Sequence, residues 1–370
     1  MAKCFADASN ERRRLSVSNQ TAGLVCAHHH LYSTLARGMP APKNESKSFI
    51  QILNNIWWRL DAALDEETIY WSAKLGACEA LMSGTTCIID HHESPNSIEG
   101  SLSIIARACS EVGVRVNTCY GVTDRWDDTG ELHSKVSPLS KMTDAAKRGL
   151  NECDQFLSSG GTGMVGVHAA FTCSDETLQA AAELAKKHKV GVHIHVGEAL
   201  DDVQAGARLE DLAEDNWLLV HTVHLDRNLK GRIVHNARSN MNNAVGYAKP
   251  STKTNTVLLG TDGIGADMVE EARLAYARLR EFDVSQTPET VWSWLQNGYE
   301  LFPEAKSDRV TFNYDFADSP WHAAFTTNLH ALDVEIEGQK VLANSRPTRV
   351  DLDEVRAKSA EQALRLYERL

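Results

Sequence analysis

At 370 residues the chain exceeds one small domain and suits a single (β/α)₈ barrel with an appendage. A formal net charge of -12 leaves nothing to neutralise a phosphate backbone, which excludes a nucleic-acid binder and restricts any base-containing partner to a small molecule. The chain starts without an apolar h-region and contains no run of roughly 18 apolar residues, so a soluble, unexported, cytoplasmic protein that binds no membrane is expected.

In chain order, the Glu11-Arg12-Arg13-Arg14 run reads as a solvated basic cluster. From Leu24 onward, apolar runs predict strands over Leu24–His30, Thr85–His92, Val114–Val122, Met164–Phe171, Gly191–Glu198, Trp217–His224, Arg232–Asn240 and Asn255–Gly263. Helical periodicity lies between them over Ile50–Met82, Ser97–Val112, Lys141–Ser158, Ser174–Lys189 and Leu200–Glu214. Strand and helix alternating eight times give an α/β fold with a parallel sheet, closed as a TIM-like (β/α)₈ barrel. Near the end, Val334–Val341 alternates around Gly338 as a small strand pair, and Leu352–Leu370 has helical period. The eight cysteines stand singly without a C-x-x-C pair, as expected of reduced core thiols.

The strand ends carry the chemistry, and in a barrel of this type that rim is the active-site face. His28 and His30 are two apart on a strand and share a face, whereas His29 points away. His195 and Glu198 could act on one metal-activated water, with His193 deeper in the barrel. The next strand closes with His221-Thr222-Val223-His224, and the last with Asp262-Gly263. Taken singly, these have ordinary explanations: a surface histidine run, a hydrogen-bonded core pair, a turn. Their recurrence on one rim points to a metal centre.

The stretches Gly23 to Met39 (with Ala27-His28-His29-His30), Trp57-Trp58-Arg59-Leu60-Asp61, Ser83-Gly84-Thr85-Thr86 and Asp90-His91-His92 carry a family resemblance. So do His193 to Glu198, His235 to Gly246 and Gly260-Thr261-Asp262-Gly263. Over roughly residues 23 to 300 the chain resembles the amidohydrolase superfamily, in its cytosine/guanine-deaminase-like and chlorohydrolase-like branch. Within that branch it most resembles the SsnA-type aminohydrolases.

The resemblance implies a metal-dependent aminohydrolase, a deaminase that attacks a carbon–nitrogen bond of a small nitrogen heterocycle and not a peptide bond. It implies one divalent ion, zinc before iron, held by His28, His30, His195 and Asp262. Asp262 would take the proton of the attacking water, Glu198 would protonate the ring nitrogen, and His224 would steady the water or the developing oxyanion. Binuclear members carry a lysine on the fourth strand; here that strand has none and offers His168, so a mononuclear site is implied, with His168 turned toward substrate. Arg37 and the Trp57-Trp58 pair are further candidates for the substrate pocket. A homodimer is expected from the resemblance alone. The alternatives are hydrolytic dechlorination or dealkylamination of a similar ring, or a non-catalytic metal-binding paralogue.

The chain departs from the pattern in places. The expected division is an N-terminal remnant at 1–22, the barrel at 23–300 and, at 301–370, C-terminal strands and a helix left from a β-sandwich. The first twenty or so residues show no alternation. Leu225 to Gly231 is short for a helical crossover, the connection from Val245 to Asn255 is short for the family, and 302–314 lacks a recognisable return strand.

Overall fold

The computed structural model describes residues 18–127, 130–132, 141–315 and 317–370. The Glu11–Arg14 run and Cys4 lie outside them. The strands are β1 (Gln20–Thr21), β2 (Leu24–His30), β3 (Thr85–His92), β4 (Arg115–Val122), β5 (Val165–Ala169), β6 (Val192–Val196) and β7 (Leu218–His221). They continue as β8 (Arg232–His235), β9 (Val257–Leu259), β10 (Asp262–Gly263), β11 (Arg309–Phe312), β12 (Ala331–Ile336), β13 (Gln339–Ala343) and β14 (Arg346–Pro347).

Strands β2 to β10 form one parallel sheet in the order β10-β2-β3-β4-β5-β6-β7-β8-β9. β9 and β10 are two pieces of one strand, because consecutive residues between them bond to opposite neighbours. Gly260 N donates to His235 O of β8 at 3.1 Å, and Thr261 N donates to His28 O of β2 at 3.0 Å. The sheet therefore closes on itself as an eight-stranded TIM-like barrel. A Cβ on Gly260 would stand 2.8 Å from His28 Cβ, so this closure needs the missing side chain.

Helices over Glu66–Met82, Ser101–Val112, Asp144–Ser158 and Asp175–His188 cover the barrel. Because they shield its outer face, all eight residues of β3 are buried and apolar ones can run without alternation. Ser174 caps the fourth helix by accepting from Thr177 N, while Lys186, Lys187 and His188 meet the negative end of its dipole. The periodic stretch Ile50–Met82 is not one helix. It breaks into Phe49–Ile52, a π-type turn over Leu53–Trp57 and Trp58–Ala63, then restarts behind the Asp65/Thr68 capping box.

Several boundaries differ from expectation, and the helix predicted over Leu200–Glu214 is a 3-10 turn at Leu200–Asp202 followed by a short helix at Ala205–Leu209. The strand predicted over Arg232–Asn240 ends at His235, since Ala237–Asn242 is helical. The short connection from β7 to β8 carries no helix, yet it returns the chain to a neighbouring parallel strand. Strands so paired lie only about 4.8 Å apart, so an extended return over four-residue strands suffices. Leu229 is buried, and Asn255 Nδ2 pins the segment by donating to the carbonyls of Leu229 (2.9 Å) and Gly231 (2.7 Å).

The second sheet is antiparallel in the order β1-β11-β12-β13-β14 and unites the two ends of the described chain. The return strand judged missing from 302–314 is present as β11, which pairs with both β1 and β12. Arg115 of β4 ties this sheet to the barrel through a two-pronged pair with buried Asp308, at 2.7 and 3.1 Å. The last helix, Leu352–Tyr367, packs Val355 and Leu366 into the core shared with Glu66–Met82. Seven cysteines are buried and unpaired, and among the described residues no helix is long and apolar enough to cross a membrane.

Candidate metal centre and cleft

The first and last barrel strands bring His28, His30 and Asp262 together. His28 Nε2 lies 3.2 Å and His30 Nε2 3.0 Å from Asp262 Oδ1. From β6, His195 Nε2 comes within 3.3 Å of His30 Nε2. One donor atom from each of these four residues lies within 4.8 Å of the other three.

The other ring nitrogens are already engaged. His30 Nδ1–H donates to His91 O and His195 Nδ1–H donates to His168 O, each at 2.6 Å. His28 Nδ1 lies 2.8 Å from His193 Nε2, and His193 Nδ1 faces Cys119 Sγ at 3.6 Å. These bonds leave Nε2 of His30 and of His195 facing one another, the two atoms a cation between them would take as donors. Burial works against charge on His30, yet the hydrogen bond and charge of Asp262 push its pKa up to about 9. Burial likewise opposes the Asp262 carboxylate, but hydrogen bonds from His28 and His30 hold it well below its ordinary range. Three imidazole nitrogens and one carboxylate oxygen converging within 4.8 Å are a donor set that fits a divalent ion.

Beside the four donors stands His221, which the sequence reading passed over for His224. Its Nδ1 lies 2.7 Å from Asn240 Oδ1. Its Nε2 is buried without a hydrogen-bond partner, 3.4 Å from Glu198 Oε2 and 3.8 Å from Asp262 Oδ2. His224 is turned away, and its Nε2 lies 2.8 Å from the carbonyl of Val245, outside the cleft. The cause is local: β7 ends at His221, where the backbone takes φ values of 70° at His221 and 53° at Thr222, and the chain leaves the rim before His224. Asp262 also has a positive φ, 60°. Left-handed backbone at three non-glycine residues is costly, and at two of them, His221 and Asp262, it coincides with side chains aimed at one point.

Glu198 receives Asn243 Nδ2 at 3.3 Å, and burial raises its pKa. Ser239 Oγ donates to Asp262 Oδ2. Neither Asn243 nor Ser239 announces itself in sequence, because each lies in or next to a short helix that the reading assigned to a strand or a loop. His168 lines the same cleft with its Nδ1 2.8 Å from Thr172 Oγ1, and burial drives its pKa down. Trp57, Trp58, Phe49 and Phe171 form the apolar wall. Arg37 does not reach the cleft; it pairs with Glu79 at 2.7 Å on the outside of the barrel.

The profile of the Amidohydrolase family matches residues 20–296. A 5'-deoxyadenosine deaminase from Methanococcus aeolicus is 30% identical over 282 residues, which cover 68% of this chain and 61% of that protein. The chain spans about 60% of the length of such curated relatives (61% and 59% for two of them). An adenosine deaminase from Xanthomonas campestris solved with bound zinc shares the fold, with a TM-score of 0.76 at 20% identity over 94% of this chain and 85% of that one. So does an atrazine chlorohydrolase from Arthrobacter aurescens TC1 complexed with zinc, with a TM-score of 0.76 at 17% identity over 93% and 88%. The match to three quarters of the chain, on a barrel of the same fold, establishes that this protein belongs to the amidohydrolase family.

Proposed function

We propose that the protein is a metal-dependent aminohydrolase that removes an amino group from a small nitrogen heterocycle. The observation that carries this reading is the convergence of His28, His30, His195 and Asp262, with Glu198 and His221 on their open side. Those four residues would hold a divalent ion, which would supply a water acidic enough to be deprotonated near neutral pH. Zinc is the proposed ion, on the chemistry of three imidazoles with one carboxylate and on the zinc in the two solved structures above.

Each neighbouring side chain has a task in this proposal. Asp262, oriented through Oδ2 by Ser239, takes the proton of the attacking water. Glu198, largely shielded from solvent, has a raised pKa, which favours the acid form that can give a proton to the ring nitrogen, with Asn243 fixing its orientation. His221 offers its unpartnered Nε2 to the oxygen on which charge develops. Trp57, Trp58 and Phe49 stack on the planar ring and keep water from its faces. The relatives named 5'-deoxyadenosine deaminase make 6-aminopurines the first substrates to try.

A homodimer and a cytoplasmic location are proposed alongside. The exposed, stacked pair Trp321 and Phe325 offers an apolar face to a second copy, and the buried, unpaired thiols suit a reducing compartment. Sedimentation decides the first and fractionation the second.

The test is metal content by mass spectrometry together with ammonia release from a panel of amino-substituted heterocycles. We expect about one zinc per chain, and a loss of about 10²–10⁴-fold in Glu198→Gln with the metal retained. Absent metal or no ammonia from any ring refutes the reading; chloride or alkylamine release in place of ammonia selects the alternative leaving groups.

A further inference from the structure

One wall of the cleft contains charged groups that the proposed chemistry does not use. Asp61 and Glu93 line it and are each 2% exposed. Both are bonded to the same guanidinium: Arg125 Nη2 lies 2.8 Å from Asp61 Oδ2 and 2.5 Å from Glu93 Oε1. Glu93 Oε1 also accepts Trp126 Nε1 at 2.7 Å. The guanidinium is clasped between the faces of Trp58 (4.8 Å) and Trp126 (5.0 Å), which fixes it in place.

Two carboxyl groups share one cation, so with both ionised the group carries one negative charge in excess, which is costly in a buried position without a partner. Asp61 Oδ1 is buried without a partner at good hydrogen-bond geometry, and the Tyr32 side chain is the further group that interacts with this carboxyl. The arrangement is adjacent to the metal centre: the Tyr32 ring lies 5.5 Å from His30, and Trp58 lies 6.4 Å from His168. Further acidic residues line the cleft. Glu198, Asp201, Asp202 and Asp262 also line it, and the cation among its lining residues, Arg238, is spent on the carbonyls of Thr261 and Gly263.

We infer that Asp61 and Glu93, held rigid by Arg125, form a specificity subsite for a cationic or amino-bearing substituent on the heterocycle and reject anionic ones. The inference rests on the heterocycle reading above and adds the charge class of the substrate. Burial outweighs the neighbouring Arg125 in setting Asp61, which is pushed up to about 8 with the charge of Glu93 contributing. A substrate cation would supply what the ionised form lacks.

The test uses three 6-aminopurines of matched size that differ in charge: 9-(2-aminoethyl)adenine, 9-ethyladenine and 9-(2-carboxyethyl)adenine. Titration calorimetry on the metal-loaded protein reads their binding whether or not they turn over. The expected order is amine tightest, ethyl intermediate and carboxylate weakest, with about tenfold between successive members. Asp61→Asn with Glu93→Gln should bring the three within about threefold of one another while zinc content stays unchanged. Equal affinities in the wild-type protein, a carboxylate that binds as tightly as the amine, or no binding by any of the three overturns the subsite. So does an order that persists in the folded double variant, and the wild-type order alone decides if that variant does not fold. Ammonia release from the ethyl compound and the wider panel is measured in parallel; no turnover with the charge order intact refutes the deaminase reading and leaves the subsite standing.

Discussion

His193 Nε2 sits 2.8 Å from His28 Nδ1 and so determines which nitrogen of His28 is free to face Asp262. With Nδ1 engaged by His193, Nε2 is the His28 nitrogen that faces the donor cluster and would bind an ion there. His193→Phe removes that acceptor while keeping an apolar ring in the barrel interior. We expect zinc affinity to fall by about 10–100-fold, read by competition with a chromogenic chelator. Unchanged affinity would mean that His193 only fills space.

His221 and His224 differ by three positions and separate cleanly by substitution. His221→Ala should lower ammonia release by about 10²-fold or more, since it empties the position between Glu198 and Asp262. His224→Ala should leave turnover within about threefold, because it removes one bond to the Val245 carbonyl outside the cleft. The reverse ranking would restore the role assigned from sequence.

The Arg115–Asp308 pair bears on stability, not turnover. Arg115→Ala strands a buried carboxylate between the barrel and the antiparallel sheet. A loss of about 3–5 kcal/mol is expected in urea unfolding, and Asp308→Asn should recover part of it in the double variant. A loss under about 1 kcal/mol would show that solvent reaches the pair.

His235 gives a pH dependence. It is fully buried against Tyr247 and Trp294, neither ring nitrogen has a partner, and burial lowers its pKa from 6.5 to about 3. The unfolded chain takes up a proton near pH 6.5 that the folded chain refuses until about pH 3. Stability contributed by the neutral ring is thus complete above pH 6.5 and declines as the pH falls through that window. His235→Leu should flatten this acid limb in unfolding experiments run from pH 7 to pH 4. An unchanged slope would place the proton uptake on other groups, among them His29 and His92, which burial also lowers to about 3.

Much of the barrel was legible because its strands are buried on both faces, so apolar residues run without alternation, as Cys87-Ile88-Ile89 does within Thr85–His92. Their ends were less so. In His221-Thr222-Val223-His224 nothing in the residue types reveals that left-handed backbone stops the strand at the first histidine, so His224 was chosen. β1 has two residues and β11 four, too few for a period to register, and each exists through pairing with chain some 290 positions away. The i, i+2 spacing of His28 and His30 is a local signal and predicts their common face. The meeting of Asp61, Glu93 and Arg125 is set by three elements at once, and no spacing encodes it.

The barrel closes where Gly260 and Thr261 bond in turn to β8 and β2, and this bears on the order of events during synthesis. His28 and His30 emerge early and His195 much later, but Asp262 belongs to the strand that shuts the ring. The complete donor set cannot exist before closure. All four donors would meet an ion only in an assembled barrel, and a nascent chain halted before Asp262 would hold three imidazoles without the carboxylate that completes them.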